Sequence, residues 1–319
     1  MWLLRKMNNK TETFVTTVAF VGRPNAGKST LLNALVGTKI APTSHKPQTT
    51  RRIIRGIKTR DRFQQIYFDT PGISRNISGL DAFMQDQISQ ALLGVDQVVA
   101  IVDANDATKK HLPFLQKIKA IADQEQQRFI LVINKIDALK DKSALLGLIA
   151  EYASTLKADE IVPISAMNND GIDELFDLLS RSAQAAEFLF DEDLFTDASE
   201  KEIVAELIRE KAMLELSEEL PYRLAVTIEN FDESRRQEEK KPLIMIDAVI
   251  HVERKSQKAI VIGKGGRALK AIGVRARRDI ENLLQCQVML KLFVRVEPNW
   301  TTSMKSLRKL GFGSTAKNQ

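Results

Sequence analysis

The chain has 319 residues, 44% hydrophobic and 28% charged, a balance ordinary for folded globular protein and a length that suits two domains. A single cysteine, Cys286, and three scattered histidines argue against a disulfide framework and against a Cys- or His-rich zinc site. The net charge is +6, and no apolar run approaches the roughly 20 residues that span a bilayer. The first ten residues mix three basic side chains with a short apolar patch, unlike a secretory signal, so a reducing cytoplasm is the expected location.

Strands are predicted at 15–21, 52–58, 65–68, 97–102, 129–133 and 161–164, and helices at 29–36, 80–93, 111–122, 143–156 and 172–180. Strand–helix alternation with near-continuous apolar strands predicts an α/β domain over 12–183, with a doubly wound, mostly parallel sheet covered on both faces. Residues 184–199 carry acids and turn formers and read as a linker. Over 200–312 the order changes to helix (200–216), two strands (223–230 and 243–252), a short helix (258–261), a Gly-rich turn, a helix (267–284) and a strand (287–297). That is a smaller α+β domain, followed by a tail at 313–319. Charge divides along the same lines: residues 1–180 sum to +4, 181–250 to −9 and 251–319 to +11. The basic end suggests a polyanion-binding surface, although solvated helix faces would give the same count.

Gly22-Arg23-Pro24-Asn25-Ala26-Gly27-Lys28-Ser29 matches G-x-x-x-x-G-K-[ST] between a strand and a helix, with Thr30 next. Glycines let the backbone wrap phosphates, and the exposed N–H groups and helix N-terminus supply positive potential. Lys28 reaches the β- and γ-phosphates, and the Ser29 hydroxyl ligates Mg²⁺. Asp69-Thr70-Pro71-Gly72 follows a strand, so Asp69 can hold Mg²⁺ through water and the Gly72 N–H can meet the γ-phosphate. Asn134-Lys135-Ile136-Asp137 follows another strand. The Asp137 carboxylate can accept from guanine N1–H and its exocyclic amine, a donor pair adenine lacks. Ser165-Ala166, after a further strand, completes a base pocket through the Ala166 N–H. Four strand ends thus converge on one crevice, where ligands sit in open α/β sheets.

These elements resemble the GTP-binding domain of translation-factor-like GTPases, which implies GTP/GDP and Mg²⁺ as ligands. Lys46-Pro47-Gln48-Thr49-Thr50-Arg51 then looks like the effector loop, with Thr50, or alternatively Thr49, closing over Mg²⁺ and the γ-phosphate. Ras-like enzymes orient the attacking water with a Gln after the Asp-x-x-Gly turn. Here Ile73 stands there, implying slow intrinsic hydrolysis with water positioned by backbone or by a partner. No catalytic residue is assigned beyond Asn25, Thr50 and Gly72 as candidates. Asn25 occupies the place where related enzymes coordinate a monovalent cation, so potassium joins the cofactors the resemblance implies, a loop-former role for Asn25 being the alternative.

In the second domain, Ile262-Gly263-Lys264-Gly265-Gly266-Arg267 places G-x-x-G between two helices, followed by Lys270 and further basic residues. The pattern alone is weak. In this setting it resembles a KH domain of the prokaryotic type (type II), whose G-x-x-G loop clamps single-stranded nucleic acid. Lys264 and Arg267 would flank phosphates, with Ile250 and Ile262 as an apolar floor. Cys286 reads as filler, His251 as a strand-end surface residue and Trp300 as an anchor of the last strand, with base stacking the alternative.

With both domains in this order, the whole of 15–312 resembles the Era family of bacterial GTPases. The carriers are 22–35, 46–51, 69–72, 196–222, 260–266, Trp300 and 307–312. Met167-Asn168-Asn169-Asp170 after Ser165-Ala166 departs from the pattern. The resemblance implies a GTP-gated binder of the 3′ end of small-subunit (16S) ribosomal RNA that acts in assembly of the 30S subunit. It also implies a cytoplasmic monomer with weak association to the cytoplasmic face of the inner membrane. Because −9 adjoins +11, the acidic linker at Asp191, Glu192 and Asp193 is expected to touch the basic clamp in one nucleotide state and leave it in the other.

Overall fold

The structure, a computed structural model, describes residues 12–44, 46, 49–72, 79–105, 111–141, 143–216, 220–238 and 241–312. Its first sheet is built from β1 (Phe14–Gly22), β2 (Ile54–Arg60), β3 (Phe63–Asp69), β4 (Gln97–Asp103), β5 (Arg128–Asn134), β6 (Glu160–Pro163) and a short β7 (Gln184–Ala185). Strand order is β2-β3-β1-β4-β5-β6, with β7 added antiparallel to the start of β1. Only β2 and β7 run against the parallel direction. The apolar strands β4 and β5 are buried along almost their whole length because helices cover both faces. On one face α1 (Lys28–Val36) and α5 (Ile172–Ser180) pack through Leu31, Leu32 and Leu175. On the other lie α2 (Gly79–Leu92), α3 (Leu112–Gln124) and α4 (Ser143–Leu156), through Ile88, Leu115 and Tyr152. Strand order reverses at β1, and the crevice that this reversal opens at the strands' C-terminal ends sits over residues 22–29.

Residues 186–199 form a strap along the edge strand rather than a loose tether. The Gln64 side chain accepts from the Leu189 and Phe190 N–H groups (2.9 and 3.1 Å), Phe195 O accepts from Ile57 N (2.8 Å), and Thr196 Oγ1 donates to Arg55 O (2.6 Å). Backbone groups of β2 that would otherwise stay open are thereby satisfied. Asp191, Glu192 and Asp193 lie exposed on this strap, and none of their contacts among the described residues is to the Gly-rich loop.

The second unit follows the order α6 (Glu200–Glu215), β8 (Ala225–Arg235), β9 (Leu243–Val252), α7 (Lys255–Ile262), α8 (Arg267–Leu284) and β10 (Gln287–Val296). Ser199 starts α6 with a capping box to Glu202. The sheet order is β10-β9-β8, with β10 parallel and β8 antiparallel to the central β9. Helices α6 to α8 cover one face through Val204, Ile246, Ile250 and Ile280. This is the α-β-β-α-α-β arrangement of a type II KH domain.

A short helix that the sequence pattern does not predict, α9 (Met304–Lys309), is the last helix among the described residues. Its Leu307, together with Trp300, Leu310 and Phe312, packs on Leu80 and Met84 of α2. Trp300 has no exposed surface, stacks on Phe312 and donates from Nε1 to Arg223 O (3.2 Å), so it anchors the two domains to each other.

Candidate functional site

The loop after β1 turns sharply into α1. Gly27 adopts φ 99°, and a Cβ there would collide with Asn134 Nδ2, so only glycine brings the loop this close to the β5 end. Lys28 is buried and donates from Nζ to Gly22 O and Arg23 O (both 3.2 Å). Burial lowers its pKa, with the opposing Asp69 charge working the other way. Asn25, at φ 64°, lines the same crevice as Thr30, Thr43 and Gly72, and Gly72 packs against Pro24.

Three oxygens meet at the head of α1. Ser29 Oγ donates to Asp69 Oδ2 (2.5 Å) and lies 2.7 Å from Thr50 Oγ1, which is 3.3 Å from the same carboxylate oxygen. Asp69 has no exposed surface, and its Oδ1 is buried without a hydrogen-bond partner. Burial pushes its pKa up to about 6, a rise only partly offset by Lys28 and the two hydroxyls. An orphaned buried carboxylate oxygen beside two hydroxyls is a hard-oxygen set suited to Mg²⁺. Of the two threonines, it is Thr50 that enters this cluster. Thr49 Oγ1 instead donates to Lys46 O (2.7 Å). Ile73 lies outside the described residues.

At the other end of the crevice Asn134 ties three loops together. Its Nδ2 donates to Ala26 O, and its Oδ1 accepts from Ala166 N (both 3.0 Å). Ser165 Oγ donates to Asp137 Oδ1 (2.5 Å), which aims that carboxylate. Lys135 Nζ pairs with Asp103 Oδ2 (2.7 Å). Asp103 is not singled out by any sequence motif, although its position at the C-terminal end of a predicted apolar strand is a usable signal.

The second site is open. After Ile262 the chain passes through Gly263, Gly265 and Gly266 at φ 73°, 61° and 77°, and Arg267 begins α8 with its Nε donating to Lys264 O (3.3 Å). Lys264, Gly265, Arg267 and Lys270 are exposed, and neither Lys264, Arg267 nor Lys270 has an ion pair among the described residues. A groove of about 370 Å³ runs beside this loop between α8 and β10, lined by Gly266, Leu269, Lys270, Val274, Leu290 and Leu292.

Of the expected floor, Ile250 is corrected: it is fully buried on central β9 beneath the helices, whereas Ile262 stays partly exposed at the end of α7. The partly buried Leu290 and Leu292 that line the groove come from β10, which stands at the sheet edge beside α8. His251 is corrected for the same reason, since central β9 buries it. It is 2% exposed, with Nε2 2.8 Å from Thr227 Oγ1 and Nδ1 unpartnered, and burial lowers its pKa. Part of the basic charge of α8 is also internally paired: Arg275 reaches Glu215 (3.0 Å), and Arg277 stands 3.9 Å from Glu281.

Comparison with known proteins fits both domains. The family model described as 50S ribosome-binding GTPase matches residues 17–135, and the KH domain model matches 219–301. The GTPase Era of Geotalea uraniireducens (strain Rf4) is 43% identical over 295 residues, covering 92% of this chain and 96% of that protein. The GTPase Era of Ectopseudomonas mendocina (strain ymp) is 42% identical over 296 residues, with the same coverage. A solved structure of Era in complex with MgGDPNP and nucleotides 1506–1542 of 16S ribosomal RNA superimposes with TM-score 0.87 at 36% identity, covering 94% of this chain and 99% of that one. A variant of Aquifex aeolicus Era bound to GDP·AlF4⁻ matches with the same TM-score and identity, covering 94% of this chain and all of the other. With identity sustained through both domains and nearly the full length of its relatives, the chain belongs to the Era family of GTPases.

Proposed function

We propose that the chain is a GTP-hydrolysing switch that binds the 3′ end of 16S ribosomal RNA and assists assembly of the small ribosomal subunit. The observation that carries this reading is the meeting of Ser29, Thr50 and Asp69, with the orphaned Asp69 Oδ1, on a chain whose other domain exposes a G-x-x-G loop beside an apolar groove. Residues 22–30 wrap the phosphates and Lys28 meets the β- and γ-oxygens. Asp137, aimed by Ser165, selects guanine, while Asn134 and Lys135 shape the base pocket with Ala166. Ser29 and Thr50 would hold Mg²⁺, with Asp69 acting through water. When bound, the ion supplies neutralisation of charge on the transferring phosphoryl group. Gly72 presents its N–H to the γ-phosphate.

Hydrolysis is intrinsically slow because Ile73 cannot orient water, and Asn25, which lines the crevice, would hold potassium. On the RNA side, Lys264, Arg267 and Lys270 engage phosphates while bases enter the groove over Leu290 and Leu292. Both sites are built within one chain, which acts as a cytoplasmic monomer. Attachment to the inner membrane surface is weak and salt-sensitive: the buried Leu307 holds the apolar side of α9 inward, and Lys309 is already paired with Glu297 (3.1 Å).

The test is binding of a single strand copying the 3′ end of 16S ribosomal RNA, against a scrambled strand, at fixed salt with a non-hydrolysable GTP analogue or GDP. Tighter binding of the matched strand in the analogue state is expected. Equal binding of both strands in both states would reduce the second domain to a general polyanion surface.

A further inference from the structure

The loop that carries Thr50 is gripped by the other domain. Lys46 Nζ donates to Met213 O (2.5 Å) and to Leu216 O, carbonyls at the C-terminal end of α6 that the helix leaves open. Arg51, with no exposed surface, donates to Leu224 O (2.6 Å), Tyr222 O (2.7 Å) and Pro221 O (3.3 Å). In the opposite direction Arg209 of α6, 1% exposed, donates to Thr49 O. Its Nε donates to Glu206 Oε2 (3.0 Å), which fixes the guanidinium plane. Burial works against the Glu206 carboxylate, but the charge and hydrogen bonds of Arg209, with Arg52 and Arg51, hold its pKa below the ordinary value. A buried arginine aligned by a partly buried glutamate thus holds a backbone carbonyl of the switch loop.

That carbonyl has leverage. The Thr49 C=O and the Thr50 N–H belong to one planar peptide unit, so fixing the first fixes the orientation from which the Thr50 side chain leaves the backbone. Thr50 Oγ1 is the atom that stands 2.7 Å from Ser29 Oγ and 3.3 Å from Asp69 Oδ2. We infer that Arg209 is a positioning residue for the GTPase site: by holding the Thr49–Thr50 peptide it sets the Thr50 hydroxyl, so that the RNA-binding domain completes in cis the part of the site that distinguishes GTP from GDP. The inference rests on Thr50 being the switch threonine. The diphosphate needs only the phosphate loop and the base pocket, which Arg209 does not touch.

The test measures the affinities of a fluorescent non-hydrolysable GTP analogue and of fluorescent GDP, with Mg²⁺ at fixed salt, for the full chain and its variants. Arg209→Met is expected to weaken the analogue about tenfold while leaving GDP within about twofold. Arg209→Lys, which keeps the charge but loses the fork, should fall between them. On a Thr50→Ala background, Arg209→Met should weaken the analogue no further, because both changes remove one interaction. Lys46→Met leaves the Glu206–Arg209 pair intact, should shift the same ratio in the same direction, and carries the test if Arg209→Met fails to fold. An unchanged analogue-to-GDP ratio in the folded variants, or full additivity with Thr50→Ala, would overturn the inference. If Thr50→Ala itself leaves the ratio unchanged, the assignment of Thr50 falls, and the inference with it.

Discussion

The two sites are built on opposite physical plans. In the nucleotide crevice, Lys28, Asp69, Asn134 and Ser165 are all buried; Lys28 braces its own loop, and the other three tie neighbouring segments together through hydrogen bonds within the protein. In the proposed RNA site, Lys264 stands in solvent on the glycine turn and Arg267 and Lys270 on the start of α8, and only the groove beside them is shaped by packing. Burial makes interactions strong and interdependent, whereas exposure makes them weak, additive and screened by salt. Substitutions in the first site are therefore expected to act steeply and in discrete steps, and those in the second gradually.

The largest effect is expected from Gly27→Ala. Its Cβ would displace Asn134, which bridges Ala26 and Ala166, so the loss is on the order of 2–4 kcal/mol, or ~30–1000-fold in nucleotide affinity by titration. Asp137→Asn should lower GTP affinity by ~100-fold or more and favour xanthosine triphosphate, whose ring carries a carbonyl where guanine has its amine. Competition between the two nucleotides checks this.

Asp69 gives a pH signature. Its carboxyl titrates near 6, so a proton competes with the cation, and Mg²⁺-dependent binding of the GTP analogue should fall by ~10-fold between pH 7 and pH 5. The linkage sign is fixed as well. The folded carboxyl holds its proton more tightly than the unfolded one, so the nucleotide-free protein loses stability as pH rises from about 4 to about 6. Thermal melts with and without Mg²⁺ and nucleotide separate the two.

The second site should respond in smaller steps. Lys264→Ala and Arg267→Ala should each weaken RNA several-fold, uniformly across sequences, and flatten the salt dependence by about 0.7 for each phosphate no longer neutralised. Leu292→Ala should instead erode the preference for the matched strand. Neutralising Asp191, Glu192 and Asp193 together should change RNA affinity by less than about twofold, because those residues ride on the strap along β2. A large change there would restore the acidic-linker reading and blur the contrast between the sites.

The same contrast explains what can be read from sequence. The phosphate loop, Asp69 and Asn134 to Asp137 are legible because each follows a recognisable strand, and the parallel sheet must bring strand ends together. The groove floor is not, because whether Ile250 or Leu290 meets a ligand depends on β9 being central and β10 peripheral, which no local pattern states. His251 is misplaced by sequence for that reason too. The pairings of Arg209 with Thr49 and of Lys46 with Met213 join residues more than 150 positions apart, in segments whose charges look like ordinary solvated ones. Helix α9 escapes sequence reading because six residues carry too little periodicity.

If the loop that carries Thr50 couples the nucleotide crevice to the second domain that grips it, nucleotide and RNA must bias each other equally. The direct measurement closes the thermodynamic cycle: RNA affinity in the presence of GTP analogue and of GDP, and nucleotide affinities with and without saturating RNA, all in one buffer. RNA is expected to raise the analogue-to-GDP affinity ratio by the same factor, above about fivefold, by which the analogue tightens RNA. A ratio that RNA leaves unchanged would contradict that coupling, and would make the two domains independent binders on one chain.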